Sequence, residues 1–331
     1  MNLWPWNCFF ERGFNRITIR MNKDMVKLVE PMYPCQDVPV VVFDVRCPKP
    51  CLYCDLYQRE FSDDQIIAVG VDNVLKKLKN YSGAYFSAVS DCFLEENREL
   101  THYLLENIFR IIPDFVPLVV TKQIIPDKTI DLLIGNKDRV VVQVSIPSLN
   151  DKLLSVLEPG AAVVADRLKL IKKLISAGVP VLPVIMPWFE IYEAEDNIED
   201  LPRALAEVGV TRCTLGTSVL PEKQRKAMIG SGNGAVIEAV NSMTESREVV
   251  TKTGYTLPLG KRMLIFGRLV EAFKKHGIKA RICSADNVDM IGKTDLPICT
   301  KFKHPLFRTI NKARKASSPA QYASRGRRVG C

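Results

Sequence analysis

Six apolar runs of β type alternate with helical patterns between residues 40 and 216, and this alternation restricts the fold more than any other feature of the chain. Strands joined by helical crossovers lie parallel in one sheet. The pattern therefore predicts the α/β class, and six βα units predict a partial (βα)6 TIM-like barrel that is open on one side. The predicted strands lie near residues 40–45, 84–89, 116–121, 139–145, 180–186 and 211–216, and the predicted helices near residues 63–80, 95–111, 126–134, 151–157, 163–177 and 197–208.

A loop with three cysteines follows the first predicted strand. Cys47, Cys51 and Cys54 have the spacing C-x3-C-x2-C directly after the apolar run 38–45. Three thiolates on one short loop hold three irons of a cubane cluster, so one of its four irons stays open to bind a small molecule. The functional groups of a barrel collect at the C-terminal ends of its strands, which is where this loop falls. The sequence thus predicts an iron–sulfur site at that edge.

A structural zinc site is the alternative for Cys51 and Cys54, which form a C-x2-C pair. Zinc takes two further Cys or His ligands at similar spacing. The nearest other cysteines, Cys35 and Cys92, stand outside any paired motif, and the chain has only three histidines. The spacing therefore favours the cluster.

Composition and length place the chain among globular proteins. With 331 residues, of which 47% are hydrophobic, it can bury a full core. No apolar run reaches the length of a membrane helix, and the first residues lack the pattern of a secretory signal. Ten scattered cysteines fit a reducing compartment rather than a disulfide framework. We therefore expect a cytoplasmic monomer without membrane contact.

The net charge of +9 comes from the C-terminal residues. Residues 301–331 contain nine Lys or Arg and no Asp or Glu, so the remaining 37 basic residues balance the 37 acidic ones. Such a tail either binds phosphates of a nucleic acid or is a solvated end. We expect an N-terminal strap at 1–36, a core at 37–220, an α/β extension at 221–300 and a basic tail at 301–331.

The cysteine spacing, with Tyr53 just before the last cysteine, resembles that of the radical S-adenosylmethionine (SAM) superfamily. Stretches at the predicted strand ends are similar to the spore photoproduct lyase branch of that superfamily, namely residues 88–91, 120–122, 144–160, 166–168 and 177–181. The resemblance implies the partial barrel of the radical SAM type, with N- and C-terminal extensions. It also implies a [4Fe-4S] cluster on Cys47, Cys51 and Cys54, reductive cleavage of SAM to a 5′-deoxyadenosyl radical, a reductant such as flavodoxin or ferredoxin, and a lyase reaction in DNA repair.

The resemblance also implies roles for residues at the strand ends. Ser90, Lys122 and Ser145 would surround the methionyl part of SAM, with Lys122 pairing with its carboxylate. Tyr53 would lie beside the adenine or the radical path. Arg167 either joins this group or ties the 158–160 loop to the start of a helix.

Two positions depart from spore photoproduct lyases. In those enzymes a cysteine two residues before the Ser-Asp pair returns a hydrogen atom to the product, whereas this chain has Ala88 there and Cys92 beyond Asp91. Cys92 is either a substitute donor or a buried, inert thiol. A tyrosine follows the last cluster cysteine in those lyases, and here the residue is Asp55. The departures leave the SAM chemistry implied but not the substrate.

Three functions remain as hypotheses. The first is a radical SAM enzyme acting on a nucleic-acid lesion, the second a radical SAM enzyme acting on a small molecule or peptide, and the third a module with a structural metal and no catalysis. Cys283 and Cys299 either ligate a second cluster or lie near the open mouth of the barrel.

Overall fold

A computed structural model of the chain describes residues 23–30, 38–54, 56, 60–87, 89–192, 198–246 and 254–299. The strands in this part of the chain are β1 (Val26–Val29), β2 (Val40–Phe43), β3 (Ile66–Val69), β4 (Gly83–Phe86), β5 (Val116–Thr121), β6 (Val141–Val144), β7 (Val184–Ile185), β8 (Arg212–Leu215), β9 (Thr244–Ser246), β10 (Gly254–Thr256), β11 (Lys279–Cys283) and β12 (Ile298–Cys299). The helices are α1 (Val71–Leu78), α2 (Arg98–Ile111), α3 (Asp127–Gly135), α4 (Asp151–Leu157), α5 (Val164–Ser176), α6 (Asp200–Glu207), α7 (Glu222–Ile229), α8 (Gly234–Asn241) and α9 (Leu259–Lys275).

Eight of the twelve strands described form one long parallel series, and β9 and β10 form a separate antiparallel pair. β2, β4, β5 and β6 pair in parallel, and so do β7, β8, β11 and β12. Two parallel bridges, Val142 to Val181 and Ser145 to Val184, join the two groups between β6 and β7. β1 and β3 extend the other edge by antiparallel pairing next to β2.

The two faces of this sheet have different coverings. In-register partners point to the same face, and successive residues of a strand alternate between faces. The partners Phe86 and Val119 belong to the main hydrophobic core, which includes residues of every helix described. The partners Tyr85 and Leu118 face the other way, into small clusters of strand and loop residues. Because the described helices cover one face only, the architecture is a partial barrel, and we call the face of Tyr85 and Leu118 the inner face.

The structure confirms the predicted α/β class and all six predicted strands. The fifth is the shortest, because the run near 180–186 forms only the bridge at Val181 and the two residues of β7. β11, within the predicted extension 221–300, pairs with β8, so the sheet continues into that extension. The basic tail at 301–331 and most of the strap at 1–36 lie outside the described residues.

The helix predicted near 63–80 is wrong in its first half. Residues 66–69 form β3, an apolar strand that pairs with β1 and extends the sheet, and α1 begins only at Val71. Gly70 separates the two elements with φ of 81°, a left-handed conformation that interrupts any regular element and that glycine adopts without steric cost. β1 itself was not predicted, because residues 1–36 show no clean hydrophobic period.

In the part of the chain that the structure describes, no helix combines the length and apolar character needed to cross a membrane.

Candidate functional site

The cysteine loop after β2 is held by contacts from three other parts of the chain. The backbone N–H of Leu52 donates to the carbonyl of Leu157 at 2.9 Å, and Gln224 Nε2 donates to the carbonyl of Cys54 at 3.0 Å. Gly160 approaches so closely that a Cβ there would lie 2.6 Å from the carbonyl oxygen of Lys49. The loop is therefore fixed by the last residue of α4, by the loop that follows α4 and by α7. These contacts lie at the end of the barrel where the strands terminate.

The three cysteines line one cavity together with residues that follow β4 and β5. Ser87, Ser90 and Asp91 contribute from the end of β4, residues 120–123 from the end of β5, and Gly160 and Ala161 from the loop after α4. Val120 is two residues beyond Leu118 and so points to the inner face. The cavity thus opens on the inner face at the C-terminal edge of the sheet, where barrel enzymes carry their active sites.

Lys122 places a cation beside the cysteine thiols. Burial lowers the pKa of Lys122, but the negative charges of Glu158 and of Cys51 in its thiolate form outweigh that effect and raise it above the usual value, so the ammonium group stays charged. Burial raises the pKa of Cys51 to about 12 against the opposing effect of Lys122, and burial also raises the pKa of Cys47. Without a metal these thiols hold their protons, so metal binding must release them.

Asp91 ties the ends of β4 and β5 together. Its carboxylate accepts hydrogen bonds from the Thr121 hydroxyl at 2.8 Å and from the backbone N–H groups of Lys122 at 2.7 Å and Phe93 at 2.9 Å. Burial raises the pKa of Asp91, although these three donors oppose the shift. Ser87 has φ of 81°, which is rare outside glycine, and its hydroxyl donates to the carbonyl of Ser90 at 2.8 Å. Asp91 and Ser87 therefore position Ser90 in the cavity lining.

A buried ion pair stands behind the cavity. Arg167 Nη2 lies 2.7 Å from Glu158 Oε2, and both side chains are almost wholly buried. Arg167 also donates to the carbonyls of Ser145 at 2.9 Å and Ala162 at 2.7 Å. The Tyr53 hydroxyl donates to the other carboxylate oxygen of Glu158. Burial, together with the charge of Glu158, raises the pKa of Tyr53, which keeps that donor protonated. The pair therefore links the cysteine loop to β6 and α5.

Breaking this ion pair should destabilise the fold. Glu158→Gln leaves the Arg167 charge buried without its counter-ion, and we expect the free energy of unfolding to fall by about 3 kcal/mol in a guanidinium titration. Glu96→Gln on the surface is the matched control and should change stability by less than about 0.5 kcal/mol. Equal stabilities of the two variants would contradict a structural role for the pair.

The structure brings together five of the residues predicted for the site and keeps four apart from the cavity lining. Cys47, Cys51, Cys54, Ser90 and Lys122 line the cavity. The side chains of Tyr53 and Arg167 are engaged with Glu158, as in the structural alternative for Arg167. The Ser145 hydroxyl donates to the carbonyl of Met186 at 3.5 Å. The contacts predicted between SAM and Tyr53, Ser90, Lys122, Ser145 and Arg167 remain predictions.

Cys92 lies in the main core rather than in the cavity lining. Its side chain is fully buried, and its thiol lies 3.9 Å from the carbonyl oxygen of Val120. Burial raises its pKa well above the usual value. This placement matches the buried thiol that was the alternative to a hydrogen donor, and the donor role remains a prediction.

Sequence reasoning missed Glu158, Asp91, Ser87 and Gly160 as parts of the site. The resemblance passes through all of these stretches except Ser87, yet it does not indicate which side chains meet. A buried carboxylate such as Glu158 requires a partner. The sequence also offered Arg167 as a tie to the 158–160 loop, and the structure shows that Glu158 is the residue of that loop that Arg167 binds.

The three thiols fit a cluster ligand set. Each thiolate of a cubane cluster binds a different iron, so the ligands must face a common cavity rather than surround one point. Cys47, Cys51 and Cys54 do face one cavity, with Lys122 beside them to offset negative charge. The described residues contain no group of three His, Cys, Asp or Glu side chains close enough to bind a single metal ion.

Comparison with solved structures identifies the fold. The chain superimposes on spore photoproduct lyase complexed with dinucleoside spore photoproduct with a TM-score of 0.53 and 15% identity, over 72% of this chain and 75% of that one. The chain has the fold of spore photoproduct lyase. A mutant of that lyase gives a TM-score of 0.54 and 16% identity, over 81% of this chain and 79% of that one. Another mutant lyase, with bound AdoMet and dinucleoside spore photoproduct, gives a TM-score of 0.53 and 18% identity, over 70% of this chain and 72% of that one. The predicted relation to the spore photoproduct lyase branch is confirmed at the level of the fold.

The chain is also similar in sequence to a curated viral protein. It is 26% identical over 191 residues to uncharacterized protein ORF301 of Acidianus two-tailed virus, which covers 51% of this chain and 63% of that protein. The match therefore spans less than two thirds of the relative's length. No family model matches the chain.

Proposed function

We propose that this protein is a radical SAM enzyme in which Cys47, Cys51 and Cys54 bind a [4Fe-4S] cluster beside a SAM-binding cavity. The observation that carries the proposal is the convergence of these three thiols with Ser90 and Lys122 on one cavity at the ends of β2, β4 and β5. The shared fold with spore photoproduct lyase, one structure of which holds AdoMet, supports it.

The residues of the cavity have separate tasks. The cluster, when bound, supplies the electron that cleaves SAM into methionine and a 5′-deoxyadenosyl radical, which abstracts a hydrogen atom from the substrate. Lys122 offsets the charge of the cysteine thiolates and pairs with the SAM carboxylate. The Ser90 hydroxyl donates to the carbonyl of Phe43 at 3.2 Å, so its remaining lone pairs are the acceptors for the SAM amino group. Asp91 directly follows Ser90 and accepts a hydrogen bond from the backbone N–H of Lys122, so it holds Ser90 and Lys122 close to each other.

The test of this proposal is the formation of 5′-deoxyadenosine. The chain is reconstituted with iron and sulfide under anaerobic conditions, reduced with dithionite and incubated with SAM, and the products are separated by chromatography. We expect 5′-deoxyadenosine and methionine in equal amounts. A protein that binds SAM or zinc but forms neither product would overturn the enzyme assignment.

For the substrate we propose a nucleic-acid lesion, reached with the help of the basic residues in 301–331. The support is the structure of spore photoproduct lyase with dinucleoside spore photoproduct and the nine positive charges of the tail. Cytoplasmic location and a reductant such as flavodoxin or ferredoxin belong to the same proposal. A small-molecule or peptide substrate is the competing candidate.

Deletion of residues 301–331 distinguishes a nucleic-acid substrate from a small-molecule or peptide substrate. If the substrate is a nucleic acid, the deletion should weaken binding of an oligonucleotide, and the affinity of the full chain should fall steeply with salt concentration. If the substrate is small or peptidic, oligonucleotide affinity should be low and insensitive to the deletion. SAM cleavage by the truncated protein is the control that its core is intact.

A further inference from the structure

Two cysteines outside the candidate site lie side by side at the C-terminal edge of the sheet. Cys283 is the last residue of β11 and Cys299 the last residue of β12, and the parallel register pairs them directly. Adjacent strands are about 4.8 Å apart, which falls within the Cα separation of about 4.4–6.8 Å that a disulfide requires. Both are thiols in the structure, and both are half-buried. Their backbones therefore already stand at bonding distance.

The register also shows which way the two thiols point. Ser145, Val184 and Thr214 are successive partners across β6, β7 and β8, and Thr214 pairs with Arg281 on β11. Val120 on β5 pairs with Gln143 on β6, and Ser145 is two residues after Gln143, so Ser145 and its partners share the inner face with Val120 and Lys122. Cys283, two residues after Arg281, shares that face. The thiols therefore face the mouth of the partial barrel rather than the helix-covered core.

Cys283 lies on a half-exposed part of β11 that also carries basic residues. Lys279 and Arg281, both exposed, precede it on the same face of β11. The nucleophile in thiol–disulfide exchange is the thiolate. A half-exposed thiol with a second thiol directly beside it has the geometry of a dithiol exchange site.

We propose that Cys283 and Cys299 form a redox-active pair that is oxidised to a disulfide by a low-molecular-weight disulfide. The thiolate of one cysteine attacks the external disulfide, forms a mixed disulfide and releases one thiolate. The second cysteine then attacks the mixed disulfide and releases the other half of the reagent as a second thiol. The protein loses two hydrogens, and the external disulfide gains them as two thiols.

The disulfide joins the short edge strand β12 to β11 and closes the loop 284–298. That loop carries Asn287 and Asp289, whose side chains hold the buried guanidinium of Arg262 on α9. Oxidation thus fixes the segment that leads into the basic tail. The proposal goes beyond SAM cleavage and does not depend on it.

The test uses the full chain and glutathione disulfide. After incubation, remaining thiols are alkylated, the protein is digested without reductant, and cross-linked peptides are quantified by mass spectrometry. We expect the Cys283–Cys299 cross-link to exceed any cross-link of either cysteine to a third one by about tenfold, since the strand register places these two side by side, and to disappear on treatment with dithiothreitol. In Cys283→Ser and in Cys299→Ser, the remaining cysteine should instead retain a glutathione mixed disulfide.

Other results would overturn the proposal. These are mixed disulfides on both cysteines of the wild type without a cross-link, or a disulfide of either one with another cysteine. A stoichiometric metal ion that is bound by the wild type and lost from both serine variants would make the pair a metal site instead. The buried Cys213 is the internal control, and its modification would show that the reagent had unfolded the chain.

Discussion

A Cys51→Ala chain is expected to fold, to bind no more than traces of iron after reconstitution, and to form no 5′-deoxyadenosine from SAM. Each of the three thiolates binds its own iron, so the loss of one leaves two irons without protein ligands. We expect SAM cleavage to fall at least about 1000-fold, which corresponds to about 4 kcal/mol of lost transition-state stabilisation. Iron analysis and product chromatography on the same anaerobic sample measure both effects.

The matched control for Cys51→Ala is Cys213→Ala. Cys213 lies buried on β8 and points into the main core, so its replacement should lower stability by about 1 kcal/mol and leave iron content and SAM cleavage intact. A Cys51→Ala protein that keeps its iron and its activity would contradict the ligand assignment. A variant that unfolds would point to a structural metal site.

Replacing Lys122 should weaken SAM binding while leaving the cluster in place. A charge-assisted hydrogen bond contributes about 1.5–3 kcal/mol, so Lys122→Met is expected to raise the dissociation constant of SAM by about 10- to 100-fold. Equilibrium dialysis under anaerobic conditions measures this constant. Methionine preserves most of the stem of the side chain but removes the cation, and with it the contact between Lys122 Nζ and the Tyr53 ring, whose centre lies 5.9 Å away.

Lys128→Met is the control for this measurement. Lys128 pairs with Glu99 on the surface and lies outside the cavity lining, so its loss should change SAM affinity less than twofold, about 0.4 kcal/mol. Unchanged SAM affinity in Lys122→Met would contradict the carboxylate contact. Loss of iron from Lys122→Met would instead make Lys122 a support of the cysteine loop.

The local parts of the fold and of the site could be predicted from the sequence. Hydrophobic runs of four to six residues mark the parallel strands because those strands are buried, and β5 and β6 show this most clearly. The three cysteines lie within eight residues of one another, so their spacing alone indicates a shared site. β3 could not be predicted, because its apolar run 66–69 continues into the amphipathic period of α1.

Contacts between distant segments could not be predicted. The sequence places Tyr53, Ser145 and Arg167 near strand ends, but the direction of a side chain depends on partners far away in the chain. Glu158 supplies that partner for Tyr53 from 105 residues away, whereas its ion pair with Arg167 is local and was one of the two alternatives for that residue. Likewise, the pairing of Cys283 with Cys299 follows from the register of β12, a strand of two residues that has no sequence signal of its own.

The central claim is that the cysteine loop holds an iron–sulfur cluster whose open iron binds SAM. The most direct measurement is the iron and acid-labile sulfide content of the anaerobically reconstituted chain, followed by electron paramagnetic resonance of the dithionite-reduced protein with and without SAM. We expect about four irons and four sulfides per chain and a spectrum that changes when SAM is added. One zinc per chain with no sulfide, or a cluster spectrum indifferent to SAM, would contradict the account.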